Sequence, residues 1–233
     1  MNKTAVFSLV AIVATVLVAG FMIYSLFIQD ATLQKPKVME TEPFAHIDVE
    51  VKGADIVLKE GDSFSLSYRI QGRERVKEAH VVNDTLRFDT GVGLFFKPKL
   101  IDGFVVITVP RGTELGDVNL KTVSGSVSVE KASGHELDVE SVSSHIKVVG
   151  VFDDVSLESV SGNISFLGAS AKELECESVS GDIDLKSKAE SFEIDTISGK
   201  VTLDGEKVGR EVTHKNGDSL IKAKTVSGDI SLE

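Results

Sequence analysis

Tryptophan is absent from the chain, tyrosine occurs twice, and aromatic residues make up only 6%. Large globular cores use more rings than this. Val, Ile, Leu and Ser take their place, which suits thin, regular β-layers. A single cysteine, Cys176, excludes an internal disulfide and a multi-cysteine metal site. Basic charge is also in short supply. The formal net charge is −11, and one of the 25 basic residues, Lys3, precedes a long apolar segment. The remainder holds 24 basic against 36 acidic residues, a balance of −12. Nucleic-acid binding needs clustered Lys and Arg, so no nucleic-acid partner is expected. The same balance disfavours adsorption to anionic lipid.

One long apolar run is present. Ala5 to Ile28 is 24 residues without a charge. As a helix it would reach roughly 36 Å, enough to cross a bilayer. Tyr24 near its far end suits an interfacial ring. The rival reading is a cleaved signal peptide ending near Val18-Ala19-Gly20. However, Phe21 to Ile28 prolong the run beyond the roughly 7–15 residues of a signal h-region. Residues 1–28 are therefore expected to be a transmembrane signal-anchor helix, and the lack of a nearby cysteine excludes a lipoprotein anchor. Lys3 on one side and Lys35 and Lys37 on the other leave the positive-inside count nearly even. The acidic, repetitive β-domain sets the orientation: cell membrane, single-pass, with the C-terminal domain extracytoplasmic. Residues 29–43 have no apolar periodicity and hold two of the four prolines, so they read as a tether.

The rest is a repeat. Six segments share the core Val/Ile-Ser-Gly: Thr122-Val123-Ser124-Gly125, Ser141-Val142-Ser143-Ser144, Ser159-Val160-Ser161-Gly162, Ser178-Val179-Ser180-Gly181, Thr196-Ile197-Ser198-Gly199 and Thr225-Val226-Ser227-Gly228. Their branched residues are 19, 18, 19, 18 and 29 apart, and Ser144 is the one departure from glycine. Apolar and polar residues alternate on both flanks, as in Val155, Leu157, then Ile164, Phe166, so both flanks are strands. Gly125, Gly162, Gly181, Gly199 and Gly228 are taken as structural bends, suited by tolerance of positive φ. A unit this short cannot bury its own apolar face, so equivalent units must stack. The fold class is all-β: a single-domain parallel β-solenoid, β-helix-like, with 18–19 residues per coil. The expected domain spans 44–233, with an irregular first half at 44–116 and regular repeats at 117–233.

Stacking predicts two inward columns. One is Leu120, Val139, Leu157, Cys176 and Ile194; the other is Val127, Ile146, Ile164, Ile183, Val201 and Ile230. Thr122, Ser141, Ser159, Ser178, Thr196 and Thr225 should form a hydroxyl stack at the bend. Cys176 then occupies an ordinary core position. Upstream, Ile47 to Leu58, Phe64 to Ile70, Leu86 to Phe88 and Phe104 to Val109 also alternate, and should cap the first coil. Around Arg73 to Ala79 lies a short helical candidate. Sequence ends at Glu233, just after Ile230 and Leu232, so this last coil is expected to leave an open edge. Either the 204–219 insertion covers it, or a second molecule does, by self-association through the C-terminal coil.

At Ile47-Asp48-Val49-Glu50, Gly53-Ala54-Asp55-Ile56, Phe104-Val105-Val106-Ile107-Thr108-Val109-Pro110 and the repeated Val-Ser-Gly-Asp-Ile, the chain resembles a bacterial family labelled "putative adhesin". This is a domain of unknown function that includes membrane-anchored LiaG-like proteins encoded beside cell-envelope stress systems. The resemblance covers about 44–233. It implies a membrane-tethered β-solenoid with an adhesion or envelope-stress link, and supplies no catalytic residues.

Catalytic signals are weak. Ser144-His145-Ile146-Lys147 and Ser219-Leu220-Ile221-Lys222 match Ser-x-x-Lys, but on strands i and i+3 point to opposite faces. The five histidines show no His-x-x-x-His pair. No cofactor is indicated. The chain is expected to be a non-enzymatic cell-envelope protein that contacts an envelope protein or a wall polymer. The alternative is a polysaccharide-active enzyme on a β-helix, which would need a cleft of converging carboxylates. Leu94-Phe95-Phe96-Lys97-Pro98 reads as a cap over the first coil or as a contact surface. Asp204 to Ser219, with its Asn216-Gly217 turn signal, reads as a solvated hairpin or as a recognition loop. In the strands before the bends, Asp138, Glu140, Ser156, Glu158, Glu175, Glu177, Glu193 and Asp195 should face out, with Lys121 at one end and Lys222 and Lys224 at the other. The acidic strip Glu140, Glu158, Glu177 and Asp195 is a candidate for weak binding of Ca²⁺ or a cationic wall component. Its alternative is a solvated, self-repelling face.

Overall fold

A computed structural model of the chain describes residues 36–70, 79–90, 103–168, 171–187 and 189–233. The expected membrane helix, the helical candidate up to residue 78 and the Leu94–Pro98 cluster lie outside the described residues. Among those described, all regular structure is β, in strands β1 (Lys37–Glu40), β2 (His46–Val51), β3 (Ala54–Gly61), β4 (Ser65–Arg69), β5 (His80–Val82), β6 (Thr85–Asp89), β7 (Gly103–Pro110), β8 (Glu114–Thr122), β9 (Val127–Ser141) and β10 (Ile146–Ser159). They continue as β11 (Ile164–Leu167), β12 (Glu173–Ser178), β13 (Ile183–Lys186), β14 (Ser191–Thr196), β15 (Val201–Leu203), β16 (Glu206–Gly209), β17 (Glu211–His214), β18 (Leu220–Thr225) and β19 (Ile230–Leu232). Lys37–Glu40, expected within the tether, instead pair antiparallel with β4.

Two parallel walls meet at the Ser-Gly bends. The wall before the bends runs β6, β2, β8, β9, β10, β12, β18, β14. The wall after them runs β7, β3, β9, β10, β11, β13, β19, β15. β9 and β10 turn the opposite corner as continuous strands, with a register shift at Val149/Gly150. Between the walls both expected inward columns are buried, and Ile146, Ile164 and Ile183 stand in register as expected. Each such side chain contributes about 1.5–3 kcal/mol by leaving water.

The stacking order departs from the chain order at both ends. The coil β2–β3 lies inside the later coil β6–β7, and β18–β19 lies inside the earlier coil β14–β15. Ala223, not Ile194, therefore follows Cys176 in the core, and Ile230 separates Ile183 from Val201. The expected open edge at Ile230 and Leu232 is corrected by this: β19 has a parallel neighbour on each side. The outermost coils carry antiparallel covers instead. β4 covers β7 and β5 covers β6 at one end; β16 covers β15 and β17 covers β14 at the other. The insertion does form a cover, but over β14–β15. Its tight turn is Asp204-Gly205, where φ is 48° and 81°, as a two-residue hairpin requires. Asn216-Gly217 instead donates backbone N–H groups to Ser191 Oγ.

The bends are built by close approach rather than by positive φ. None of Gly125, Gly162, Gly181, Gly199 and Gly228 lies in the left-handed region. A Cβ on Gly162 would overlap the carbonyl oxygen of Ser144, and one on Gly181 that of Gly162. The hydroxyl stack is present. Ser178 Oγ donates to Gly162 O at 3.4 Å, Thr225 Oγ1 to Gly181 O at 3.3 Å and Thr196 Oγ1 to Gly228 O at 2.9 Å. Beside it runs a ladder that the sequence reading missed. After Gly162, Gly181 and Gly228 the next residue accepts a neighbouring coil's backbone N–H: Asn163 Oδ1 from Asp182 N, Asp182 Oδ1 from Asp229 N, and Asp229 Oδ1 from Lys200 N.

Candidate functional site

The outer face of the first wall carries the candidate strip. Alternation turns Leu137, Val139, Val155, Leu157, Leu174 and Cys176 inward, so the residues between them face out. Register then sets two lines of side chains. The first reads Asp48, Asn119, Asp138, Ser156, Glu175, Lys222, Glu193. The second reads Glu50, Lys121, Glu140, Glu158, Glu177, Lys224, Asp195. The sequence reading put Lys222 and Lys224 at the end of the strip. They instead stand between Glu175/Glu177 and Glu193/Asp195, because β18 inserts between β12 and β14. Glu140, Glu158 and Glu177 are thus adjacent, while Asp195 is separated from them by Lys224.

Charge in the second line alternates between Glu50 and Asp195 except at Glu158, and like charges also meet at both ends of the line, Glu50 with Asp89 and Asp195 with Glu211. Lys121 Nζ donates to Glu140 Oε1 at 2.6 Å, and Lys224 Nζ lies 4.0 Å from Glu177 Oε1. Glu158, between those two carboxylates, has no ion pair among the described residues. Burial first, then the charges of Glu140, Glu177, Asp138 and Glu175, push its carboxyl up to about 7. Burial also raises Glu177, against the pull of Lys224 and with Glu175 adding to it. Asp138 is raised by burial and Glu140, opposed by Lys121. Asp195 is raised by burial and Glu211, opposed by Lys224. Burial pulls the Lys121 ammonium down, but the bond and charge of Glu140 outweigh it, so its net shift is upward. Glu177 is only 7% exposed, and its Oε2 meets no hydrogen-bond donor among the described residues.

The other sequence candidates separate cleanly. Cys176 is fully buried, and burial pushes its thiol well up, against a reactive role. Ser144 is buried whereas Lys147 is exposed, so that Ser-x-x-Lys match forms no pair. Ser219 Oγ accepts the Glu190 N–H at 2.9 Å. One grouping had no linear signal. Asp117, His135 and Glu136, all exposed at the corner of neighbouring coils, bring one ligand atom each within 4.8 Å of one another. His46 joins this corner, with Nδ1 accepting the Asp117 N–H at 2.9 Å.

Residues 44–233 match the Toastrack DUF4097 family, and the chain belongs to that family. No curated protein sequence matches the chain. Several solved structures are similar to the chain at low identity. A "putative cell adhesion protein" from Clostridium sporogenes ATCC 15579 is 11% identical with a TM-score of 0.49, over 85% of this chain and 98% of that one. A "putative adhesin" from Bacteroides fragilis NCTC 9343 is 18% identical with a TM-score of 0.46, over 87% and 97%. A "putative lipid binding protein" from Parabacteroides distasonis ATCC 8503 is 14% identical with a TM-score of 0.36, over 85% and 96%.

Proposed function

We propose that the chain is a non-enzymatic binding protein of the cell envelope. In this reading the apolar run Ala5–Ile28 anchors it in the cell membrane. The β-solenoid stands outside the cytoplasm, for adhesion or for contact with an envelope protein or wall polymer in an envelope-stress role. The observation that carries the reading is the charged outer face of the first wall. Its side chains are held in register across successive coils on a hydrogen-bonded frame, which suits recognition of an extended charged partner.

Two measurements on intact cells test it. External protease should degrade residues 44–233 without lysis; protection until lysis overturns the orientation. A photo-crosslinking residue at Ser156, on the first wall, should capture an envelope component. The same residue at Ser165, facing out from the second wall, should not. Capture from Ser165 alone, or from neither position, overturns the choice of face.

A further inference from the structure

We infer that Asp117, His135 and Glu136 form a divalent transition-metal site, suited to zinc, at the corner that leads β8 and β9 into the first wall. The corner itself brings the donors together. On a straight strand His135 and Glu136 would point to opposite faces. Here β9 turns, and both are exposed between buried Gly134 and Leu137. Register sets Asp117 of the neighbouring coil beside Glu136. One ligand atom from each residue, two carboxylate oxygens and an imidazole nitrogen, then lie within 4.8 Å of one another. Two glycines permit this approach. Gly134, directly before His135, sits where a Cβ would stand 2.7 Å from Leu115 O. Gly116, directly before Asp117, leaves the space that the His46 ring occupies, and a Cβ there would overlap that ring.

Neither carboxylate of the group is neutralised. The in-register line runs Asp117, Glu136, Asp154, Glu173. Lys222 is bonded to Glu173, and Lys172 pairs with Asp153. Among the described residues no Lys or Arg pairs with Asp117 or Glu136. His46 Nδ1 lies 3.4 Å from Asp117 Oδ2, but it accepts the Asp117 N–H at 2.9 Å. A ring nitrogen that accepts carries no proton to donate, so His46 anchors Asp117 without cancelling its charge. The His135 ring has no hydrogen bond or ion pair among the described residues, so it can turn a nitrogen toward the two carboxylates.

The donor set selects the metal. Calcium and magnesium take oxygen ligands, whereas an imidazole with carboxylates suits zinc. Zinc bonds of about 2.1 Å place tetrahedral ligand atoms about 3.4 Å apart. Closing to that spacing from 4.8 Å or less needs only rotamer changes of exposed side chains. Three protein donors leave the fourth position to water or to a donor from outside the chain.

Metal binding by the purified chain depends neither on where the chain resides nor on which wall meets a partner, so it stands or falls apart from the proposed function. The full chain in detergent, stripped with EDTA and dialysed, is titrated with ZnCl₂ at neutral pH by calorimetry. One zinc ion per chain should bind, and the ring ¹⁵N resonances of His135 should move. His135→Ala, and Asp117→Asn with Glu136→Gln, should each weaken binding by about a hundredfold. Both variants should melt like wild type without metal, because all three side chains are exposed. Glu158→Gln and His214→Ala, away from the corner, should bind zinc like wild type, and millimolar CaCl₂ should not compete. Absence of zinc binding by the wild-type chain overturns the site. So does wild-type affinity in His135→Ala, loss of binding in His214→Ala, or displacement of zinc by calcium.

Discussion

Single positions in this chain do different work depending on which neighbour they meet in the next coil. Ile164 and Asn163 are adjacent, yet one stands in a sealed column and the other on the surface ladder. Ile164 is fully buried between Ile146 and Ile183. Ile164→Asp would place a carboxylate there without a partner and should cost several kcal/mol. Asn163→Asp keeps an oxygen acceptor for the Asp182 N–H and should be nearly silent. Asn163→Ala removes the acceptor and should cost about 1 kcal/mol. Urea unfolding of the three variants checks the order; equal midpoints would refute both the register and the ladder. The glycines at the bends are equally local in cause. Their missing Cβ leaves room for the neighbouring coil's carbonyl, and that approach lets the Ser and Thr hydroxyls reach across.

Among the elements, the consecutive strands β16 and β17 have the clearest separable task. Their residues are mostly exposed and polar, and they pair antiparallel with the outermost coil β14–β15. Antiparallel cover ends a parallel ladder without offering a further parallel template. Val212 packs against the core, and Phe192 stacks on His214 with ring centroids 5.4 Å apart. Replacing Glu206–Lys215 by a Gly/Ser linker of equal length should leave the inner coils folded but expose β14 and β15. Sedimentation should then become concentration-dependent. A variant that stays monomeric at high concentration would show that this segment does not protect the edge.

At the scale of the whole molecule, the reversed order of coils at each end interlocks the stack. In a simple solenoid each coil touches only its chain neighbours, and loss of the final repeat trims one interface. Here β18 and β19 each hold two parallel neighbours. Deleting 220–233 should therefore detach β14 and β15 as well, although their residues remain. Hydrogen exchange would report this as lost protection at 191–203 together with retained protection in β9 and β10. Full protection at 191–203 in the truncated chain would contradict the interlock. The same insertion puts Lys222 and Lys224 within the charged face, so the surface and the stacking order are one fact.

The linear sequence by itself determined the period, the two walls and the face of nearly every side chain. Alternation at period two is a local property, and Leu120, Val139, Leu157, Cys176 and Ile194 all prove buried. It also exposed the outward carboxylates Glu140, Glu158 and Glu177. Tertiary structure alone decided which coil lies beside which. Equivalent repeats offer near-identical ladders, so periodicity reports the face of a residue and not its neighbour in the stack. The end repeats were nevertheless marked. Ser198-Gly199-Lys200 has a lysine where Ser227-Gly228-Asp229 has an acceptor. The coil of Lys200 is the outermost, with no further coil's bend to accept from, whereas Asp229 must receive the Lys200 N–H. Reading that difference required knowing that the residue after glycine bonds across coils. That is a contact between residues 29 positions apart, and only the folded stack brings them together.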